Sequence, residues 1–251
     1  MIAGLIIGKD KSTGLPGKNY MEILGRPLVE YAFIAAENSE HVEQTFVSTD
    51  SPTIKKVAER YDAEIIDRPP ELATPDALTE DTLIHAFDEM ESRAGEEIEI
   101  VSLGFANSPH IPIGMIDEGI ETLQSDESLD SAFSVSKYNM FTPLRARSVN
   151  DDGTIEPYID LDLLGDEDEL SSIRGSAGDC YYVDLAVQIM RRRCFTNMEK
   201  GNLPFQWMGQ KSYALENDYG FDIDAEWQIP VIEKWLRDHG FTEDSTPYED
   251  D

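Results

Sequence analysis

Three groups of residues carry side chains suited to chemistry on phosphate. The first is the run Gly8-Lys9-Asp10-Lys11-Ser12-Thr13-Gly14-Leu15-Pro16-Gly17-Lys18-Asn19. A Gly- and Ser-rich loop after a buried strand presents backbone N–H groups to an anion, and its lysines add point charges for phosphate oxygens. The spacing of Gly14, Gly17 and Lys18 is neither that of a Walker A loop nor that of a dinucleotide fingerprint. The second group is Asp222-Ile223-Asp224. Alternation along a strand puts both carboxylates on one face, where they repel unless a cation or a proton sits between them. Mg²⁺ takes one or two carboxylates and completes its octahedron with phosphate oxygens and water. The third group is Ser48-Thr49-Asp50-Ser51 with Arg68-Pro69. Arg68 could hold a phosphate or stack on a base, and Asp50 could reach a lysine or a metal. Each group also has a plain structural reading: an ordinary surface loop, two solvated acids, and a helix cap with an ion pair.

Other chemistries lack their residues. His41, His85, His110 and His239 show no ligand spacing, and Cys180 and Cys194 form no Cys-x-x-Cys pair, so neither zinc nor redox chemistry is indicated. His85 falls within a helical stretch, which suits packing or hydrogen bonding. No Gly-x-Ser-x-Gly elbow is present.

The elements that must position these residues follow from hydrophobic patterning. Ile2 to Ile7 is a continuous apolar run, the signature of a buried parallel strand. The pattern then predicts a helix over 27–38 with Pro27 in its first turn, and a strand over 45–49. A helix follows, capped by Ser51 and led by Pro52. Strands at 63–66 and 98–103 flank a helix near 76–93. A helix near 113–123 precedes a strand at 131–136. Strand character resumes at Tyr181–Asp184, then a helix and a strand near 211–215. The final helix carries Trp227, Val231, Trp235 and Leu236 inward, with a kink at Pro230. This alternation is that of a doubly wound, mostly parallel α/β sheet. Ligands in such sheets bind beyond the carboxyl ends of the strands, so the loops at Gly8, Asp50, Asp67–Arg68 and Gly104 should line one site. Residues 138–176 break the alternation and read as an inserted hairpin arm used in assembly. The chain is expected to form one domain over 1–240, followed by an acidic tail, 241–251, that frays.

Charge excludes further classes. The 251 residues hold 51 acidic and 20 basic side chains, a net charge of −31, which rules against coating nucleic acid or an anionic membrane. No apolar run approaches the length of a membrane helix, and the short N-terminal one lacks the basic flank of a signal peptide. A cytoplasmic protein is expected. The acids are spread along the chain, as in proteins adapted to a salt-rich cytoplasm, where dense surface carboxylates hold water and ions. Residues 1–30 nevertheless carry a net +1, with Lys9, Lys11, Lys18 and Arg26 among them. So acidic a chain keeps cations there for a reason.

Taken in order, the motifs resemble those of the CMP-sugar synthetase family, the cytidylyltransferases that activate sialic acid and related 2-keto sugar acids. The likeness rests on Ser12-Thr13-Gly14-Leu15-Pro16-Gly17-Lys18-Asn19, Leu24-Gly25-Arg26-Pro27-Leu28, Val47-Ser48-Thr49-Asp50-Ser51, Arg68-Pro69-Pro70-Glu71-Leu72-Ala73, His85 and Asp222-Ile223-Asp224. It is dense over the first 90 residues and sparser after them. The resemblance implies a Rossmann-like nucleotidyltransferase domain in which a sugar's anomeric hydroxyl attacks the α-phosphate of CTP and pyrophosphate leaves, with Mg²⁺ assisting. Lys18 would stabilise the transferring phosphate. Lys9, Ser12, Gly14, Asn19 and Arg68 would bind the nucleotide, Asp222 and Asp224 would hold the metal, and Tyr181 and Asn107 would face the sugar. The irregular middle segment resembles a dimerisation arm, so a homodimer is implied.

Lys9 stands where the family commonly has Arg, and Thr13 where it often has Lys or Gly, while the larger departures fall at the sugar end. Phe105 and Ile111 stand where the family usually has Gln and Arg, and Ser176-Ala177-Gly178-Asp179 replaces its Arg-Pro-Asn-Gly pattern. Two other readings stay open. One is a nucleotidyltransferase that uses a sugar or polyol phosphate, with Arg145, Arg147 and Arg174 for the acceptor phosphate. The other is a non-catalytic nucleotide-binding protein. The acidity yields a direct expectation: the melting temperature rises with KCl because screening relieves carboxylate repulsion. A melting temperature that is highest at low salt sinks the salt-adapted reading.

Overall fold

The computed structural model describes residues 1–11, 14–165, 170–173 and 175–248. In chain order its elements are β1 (Ile2–Ile7), β2 (Glu22–Ile23), β3 (Arg26–Pro27), α1 (Glu30–Glu37), β4 (Gln44–Thr49), α2 (Pro52–Ala58), β5 (Glu64–Asp67), α3 (Thr79–Ala94), β6 (Ile100–Phe105), α4 (Met115–Ser125) and β7 (Ser131–Lys137). The second half adds β8 (Arg147–Val149), β9 (Ile155–Pro157), β10 (Tyr181–Arg191), α5 (Arg192–Thr196), β11 (Ser212–Asn217) and α6 (Ile229–Asp238).

Seven strands form one sheet in the order β11-β7-β10-β6-β1-β4-β5. Strand β10 runs antiparallel to both of its neighbours, while the other pairings are parallel. The doubly wound, mostly parallel expectation therefore holds. The chain winds from β1 outward through β4 to β5, then returns as β6 on the other side of β1. The order reverses between β1 and β6, which opens a crevice beyond their carboxyl ends.

Helices cover both faces. On one, Phe33 of α1, Ile54 and Val57 of α2 and Ile120 of α4 join Ile6 and Val47 in one apolar cluster. On the other, Leu83, Phe87 and Met90 of α3 meet Leu5, Phe46, Leu103 and Trp207. A third cluster ties α6 to α1 through Ile232, Trp235, Leu236, Tyr31 and Leu28. The sequence pattern explains these layers, because α3 and α4 place apolar residues at helical spacing toward the sheet.

Several local expectations are corrected. Pro27 lies in the two-residue strand β3, paired with Glu22, and helix α1 begins three residues later. Ser51 precedes α2, but its hydroxyl donates to Asp10 Oδ1 at 3.0 Å and does not cap the helix. Pro230 lies in the first turn of α6, where a missing N–H costs nothing, so no kink arises. Trp227 sits before that helix and is 67% exposed, and Val231 also faces outward. Ile232 supplies the apolar stripe with Trp235 and Leu236. Strand β10 runs seven residues past Asp184 before α5 begins, and its register shifts between Val183 and Gln188.

The C-terminal segment packs where fraying was expected. Phe241 is buried, the Tyr248 ring lies 6.5 Å from it, and Arg26 donates to the Thr242 carbonyl. Residues 249–251 lie outside the described residues. Within the irregular segment, β8 and β9 form the expected hairpin about Asp151-Asp152-Gly153. Val149, Ile155, Tyr158 and Leu163 stand exposed along it.

Candidate active site

The crevice between β1 and β6 contains a cleft of about 290 Å³. Its walls come from four places in the chain. The β1 loop gives Gly8, Lys9, Gly14, Lys18 and Asn19, and the stretch after β5 gives Arg68, Leu72, Ala77, Thr79 and Thr82. The end of β6 gives Phe105 and Asn107, and the segment between β11 and α6 gives Asp222 and Asp224. A larger depression of about 520 Å³ lies on the arm. Among the described residues its lining brings no carboxylate to Arg145 and Arg147, and so it is not the candidate.

Backbone geometry fixes Lys18. Gly17 turns the chain through the left-handed region, at φ +74°, into a short 3₁₀ turn that begins at Lys18. Lys18 is buried, and its ammonium forms an ion pair with Asp224. The loop is closed on itself by Asn19 Nδ2, which donates to the Lys9 carbonyl at 2.8 Å. Lys9 Nζ donates in turn to the Thr74 carbonyl at 3.3 Å across the cleft. Gly14 lies so close to Asp224 that a Cβ there would sit 2.9 Å from its carbonyl oxygen. The expected Ser12 lies outside the described residues.

Asp222-Ile223-Asp224 is not a strand, contrary to expectation. The chain is held by side-chain anchors and still achieves the alternation: Ile223 is fully buried in the core, and both carboxylates face the cleft. Ile223 N donates to the Asn107 carbonyl at 2.9 Å, and Asn107 Nδ2 donates to Asp222 Oδ2 at 3.1 Å. Gln228 Oε1 accepts from the N–H groups of Asp224 and Ala225, each at 2.6 Å, while its Nε2 donates to the Asp222 carbonyl at 3.0 Å. Burial and the neighbouring Asp224 carboxylate hold Asp222 above the usual carboxylate range, against the pull of Lys18.

Arg68 is buried beside the cleft. Its guanidinium donates to the Ser48 carbonyl at 2.6 Å and to Ser48 Oγ at 3.3 Å. Burial pulls it down to about 10, with Asp50 opposing, so it stays cationic at neutral pH. Asp50 itself supports the loop: its carboxylate accepts from Asp10 N at 2.8 Å. It does not line the cleft.

The structure thus brings together Lys9, Gly14, Lys18, Asn19, Arg68, Asn107, Asp222 and Asp224. Tyr181 is placed elsewhere, at the same end of the sheet but outside the residues lining the cleft. Lys137 Nζ lies 5.3 Å over its ring. Arg145 and Arg147 lie on the arm, bonded to the Ser172, Leu144 and Ala146 carbonyls, and Arg174 is outside the described residues. Sequence reasoning missed Thr79 and Thr82, whose only signal is helical spacing at the start of α3. It also missed Gln228, four residues after Asp224.

Among the described residues no group of three or more His, Cys, Asp and Glu could hold a metal ion by itself. Two carboxylates, one of them paired with Lys18, do fit a hard cation that takes its remaining ligands from phosphate and water.

A protein-family profile described as Cytidylyltransferase matches residues 3–194. The chain belongs to the cytidylyltransferase family. It is 26% identical over 241 residues to N-acylneuraminate cytidylyltransferase A of Danio rerio, covering 96% of this chain and 52% of that protein. It is 28% identical over 205 residues to CMP-N,N'-diacetyllegionaminic acid synthase of Legionella pneumophila, covering 77% and 82%. The chain spans about half the length of the fish relatives it matches. In fold it is similar to CMP:2-keto-3-deoxy-manno-octonic acid synthetase solved with CTP, with a TM-score of 0.64 at 16% identity over 94% of this chain and 98% of that one. The chain has no helix, among the described residues, long and apolar enough to cross a membrane.

Next to the site His110 is fully buried, between the rings of Phe221 and Trp235 at 6.1 and 6.0 Å. Burial pushes it down to about 4, outweighing the pull of Asp184. Unfolded, it takes up a proton near 6.5, so protonation favours the unfolded chain as pH falls from 6.5 toward 4. Denaturant unfolding across that window is expected to show stability falling with pH, and His110→Leu is expected to flatten the slope. An unchanged slope would contradict the assignment.

Proposed function

We propose that this chain transfers CMP from CTP to the anomeric hydroxyl of a 2-keto sugar acid and releases pyrophosphate. The observation that carries the reading is the convergence of Lys18 and the Asp222–Asp224 pair, from opposite ends of the chain, in one cleft with Arg68. The named relatives that act on acylneuraminic and legionaminic acids support the acceptor class.

The hydroxyl oxygen forms a bond to the α-phosphorus and gives up its proton to water, as the bond from that phosphorus to the bridging oxygen breaks and pyrophosphate leaves. Charge builds on the departing pyrophosphate, and catalysis rests on positioning and on neutralising that charge. Lys18, held rigidly by its turn, supplies a cation at the phosphates. Arg68 supplies a second, buried and already oriented by Ser48. Asn107 orients the Asp222 carboxylate, and Gln228 fixes the backbone around both acids. Asp222 and Asp224 would hold Mg²⁺, which offers charge neutralisation and orientation of phosphate oxygens. Phe105 gives the acceptor end of the cleft an apolar wall. Of the arginines of the alternative phosphate-acceptor reading, Arg145 and Arg147 lie on the arm, so that reading gains no support from the described lining of the cleft. The acidic surface suits a salt-rich cytoplasm.

The test is pyrophosphate release in molar KCl with Mg²⁺, crossing CTP, UTP, ATP and GTP with 2-keto sugar acids and sugar phosphates. CTP with a sugar acid is expected to turn over. Lys18→Ala and Asp224→Ala are each expected to lower kcat by roughly 10²–10³-fold, as when one pre-aimed charge-stabilising group is lost. Turnover only with a sugar phosphate overturns the acceptor class, and full activity in both variants overturns the roles.

The same reading includes a homodimer, supported by the exposed apolar side chains of the hairpin arm. Replacing residues 138–176 with a short linker is expected to yield monomers in sedimentation. A dimer that persists places the interface elsewhere.

A further inference from the structure

A buried polar chain runs from the core to the segment that bears the two acids. Its origin is Asp184, only 4% exposed, which the register shift in β10 turns inward. The next residue, Leu185, sits at φ +62°, a conformation that a branched side chain adopts only when its surroundings enforce it. Asp184 Oδ1 accepts from the Ser134 hydroxyl and, at 3.1 Å, from Ala186 N. Asp184 Oδ2 accepts from the Ser136 hydroxyl at 2.6 Å. Ser134 and Ser136 are fully buried on the same face of β7.

The Ser136 hydroxyl has one proton and gives it to Asp184, so its oxygen is left to accept. It accepts from Gly220 N at 2.8 Å. The result is a directed chain, Gly220 N–H to Ser136 O–H to carboxylate, in which the charge strengthens each bond. Gly220 can reach this point only as glycine: a Cβ there would overlap the His110 ring and lie 2.6 Å from Asp184 Oδ2. Its carbonyl is held from the other side by the Tyr138 hydroxyl at 3.1 Å. Two residues later the chain presents Asp222. Asn217 Nδ2, donating to the His110 carbonyl at 3.3 Å, ties the same segment to the loop that carries Asn107.

We propose that Asp184 and Ser136 are positioning residues for the Asp222–Asp224 pair, holding Gly220 so that both carboxylates stand ready for a divalent cation. This rests on the metal role argued above for those acids. Mutation of groups that orient a metal's ligands typically weakens binding 10–100-fold. Ser134 provides the internal control. It bonds to the same carboxylate but not to Gly220, so a role in packing alone makes Ser134→Ala and Ser136→Ala behave alike.

The experiment is Mn²⁺ binding to the full chain without nucleotide, read by electron paramagnetic resonance, with melting temperatures measured alongside. Ser136→Ala is expected to weaken Mn²⁺ binding about tenfold. Ser134→Ala is expected to lose stability yet bind Mn²⁺ like the wild type. Asp184→Asn, which keeps the shape and folds if the alanine variant does not, is expected to weaken binding in the same direction. Equal effects of the two serine variants, or unchanged binding in both Ser136→Ala and Asp184→Asn, overturn the positioning role. Wild-type binding no tighter than that of an Asp222→Asn, Asp224→Asn double variant overturns the metal role beneath it, which separates the two failures.

Discussion

Asp222 and Asp224 repel each other, and much of the site is arranged around that repulsion. Two carboxylates on one side of a partly buried segment raise the free energy of the folded chain unless cations and donors meet them. The fold supplies Lys18 from the opposite end of the sequence, an amide from Asn107, and backbone anchoring by Gln228. On the proposed reading, a divalent cation offsets the repulsion that remains. The anchoring that holds the two acids side by side is what the proposed metal role draws on.

The crevice exists because the strand order reverses between β1 and β6. That reversal lets a loop following residue 7 and a loop following residue 105 meet beyond the sheet. The antiparallel β10 does a different service. Entering between β6 and β7, it brings a bulge to the site end of the sheet, and the bulge delivers a carboxylate beneath the loops. The cations that line the cleft therefore sit on loops over a mostly parallel core, while the acids are braced from below by a polar chain inside it.

Legibility in the sequence followed the range of the interactions concerned. The run Ile2–Ile7, the lysine-bearing loop and the Asp-x-Asp pair were readable because each is set by neighbours in sequence. The alternation of Asp222 and Asp224 was read correctly for a reason that proved wrong: burial of Ile223 turns the acids outward, with no strand present. Ser51 and Asp50 were misassigned because their partners lie 40 residues away in the β1 loop. Trp227 was counted with the core because Pro230 was placed inside the helix and not at its start. Asp184 carried no local signal. Its hint was indirect: two serines at period two, Ser134 and Ser136, in the β7 run Ser131-Ala132-Phe133-Ser134-Val135-Ser136 need a polar partner when that strand is central.

The loop that carries Lys18 and the acids it faces are separated by some 200 residues of chain. During synthesis, strand β1 and its loop emerge first, and four-fifths of the protein must follow before Asp224 can reach Lys18. A nascent or prematurely released chain thus carries the basic loop without the acids that meet it in the folded protein. Such a fragment lacks the Lys18–Asp224 ion pair, and the cleft is complete only once the segment between β11 and α6 has docked.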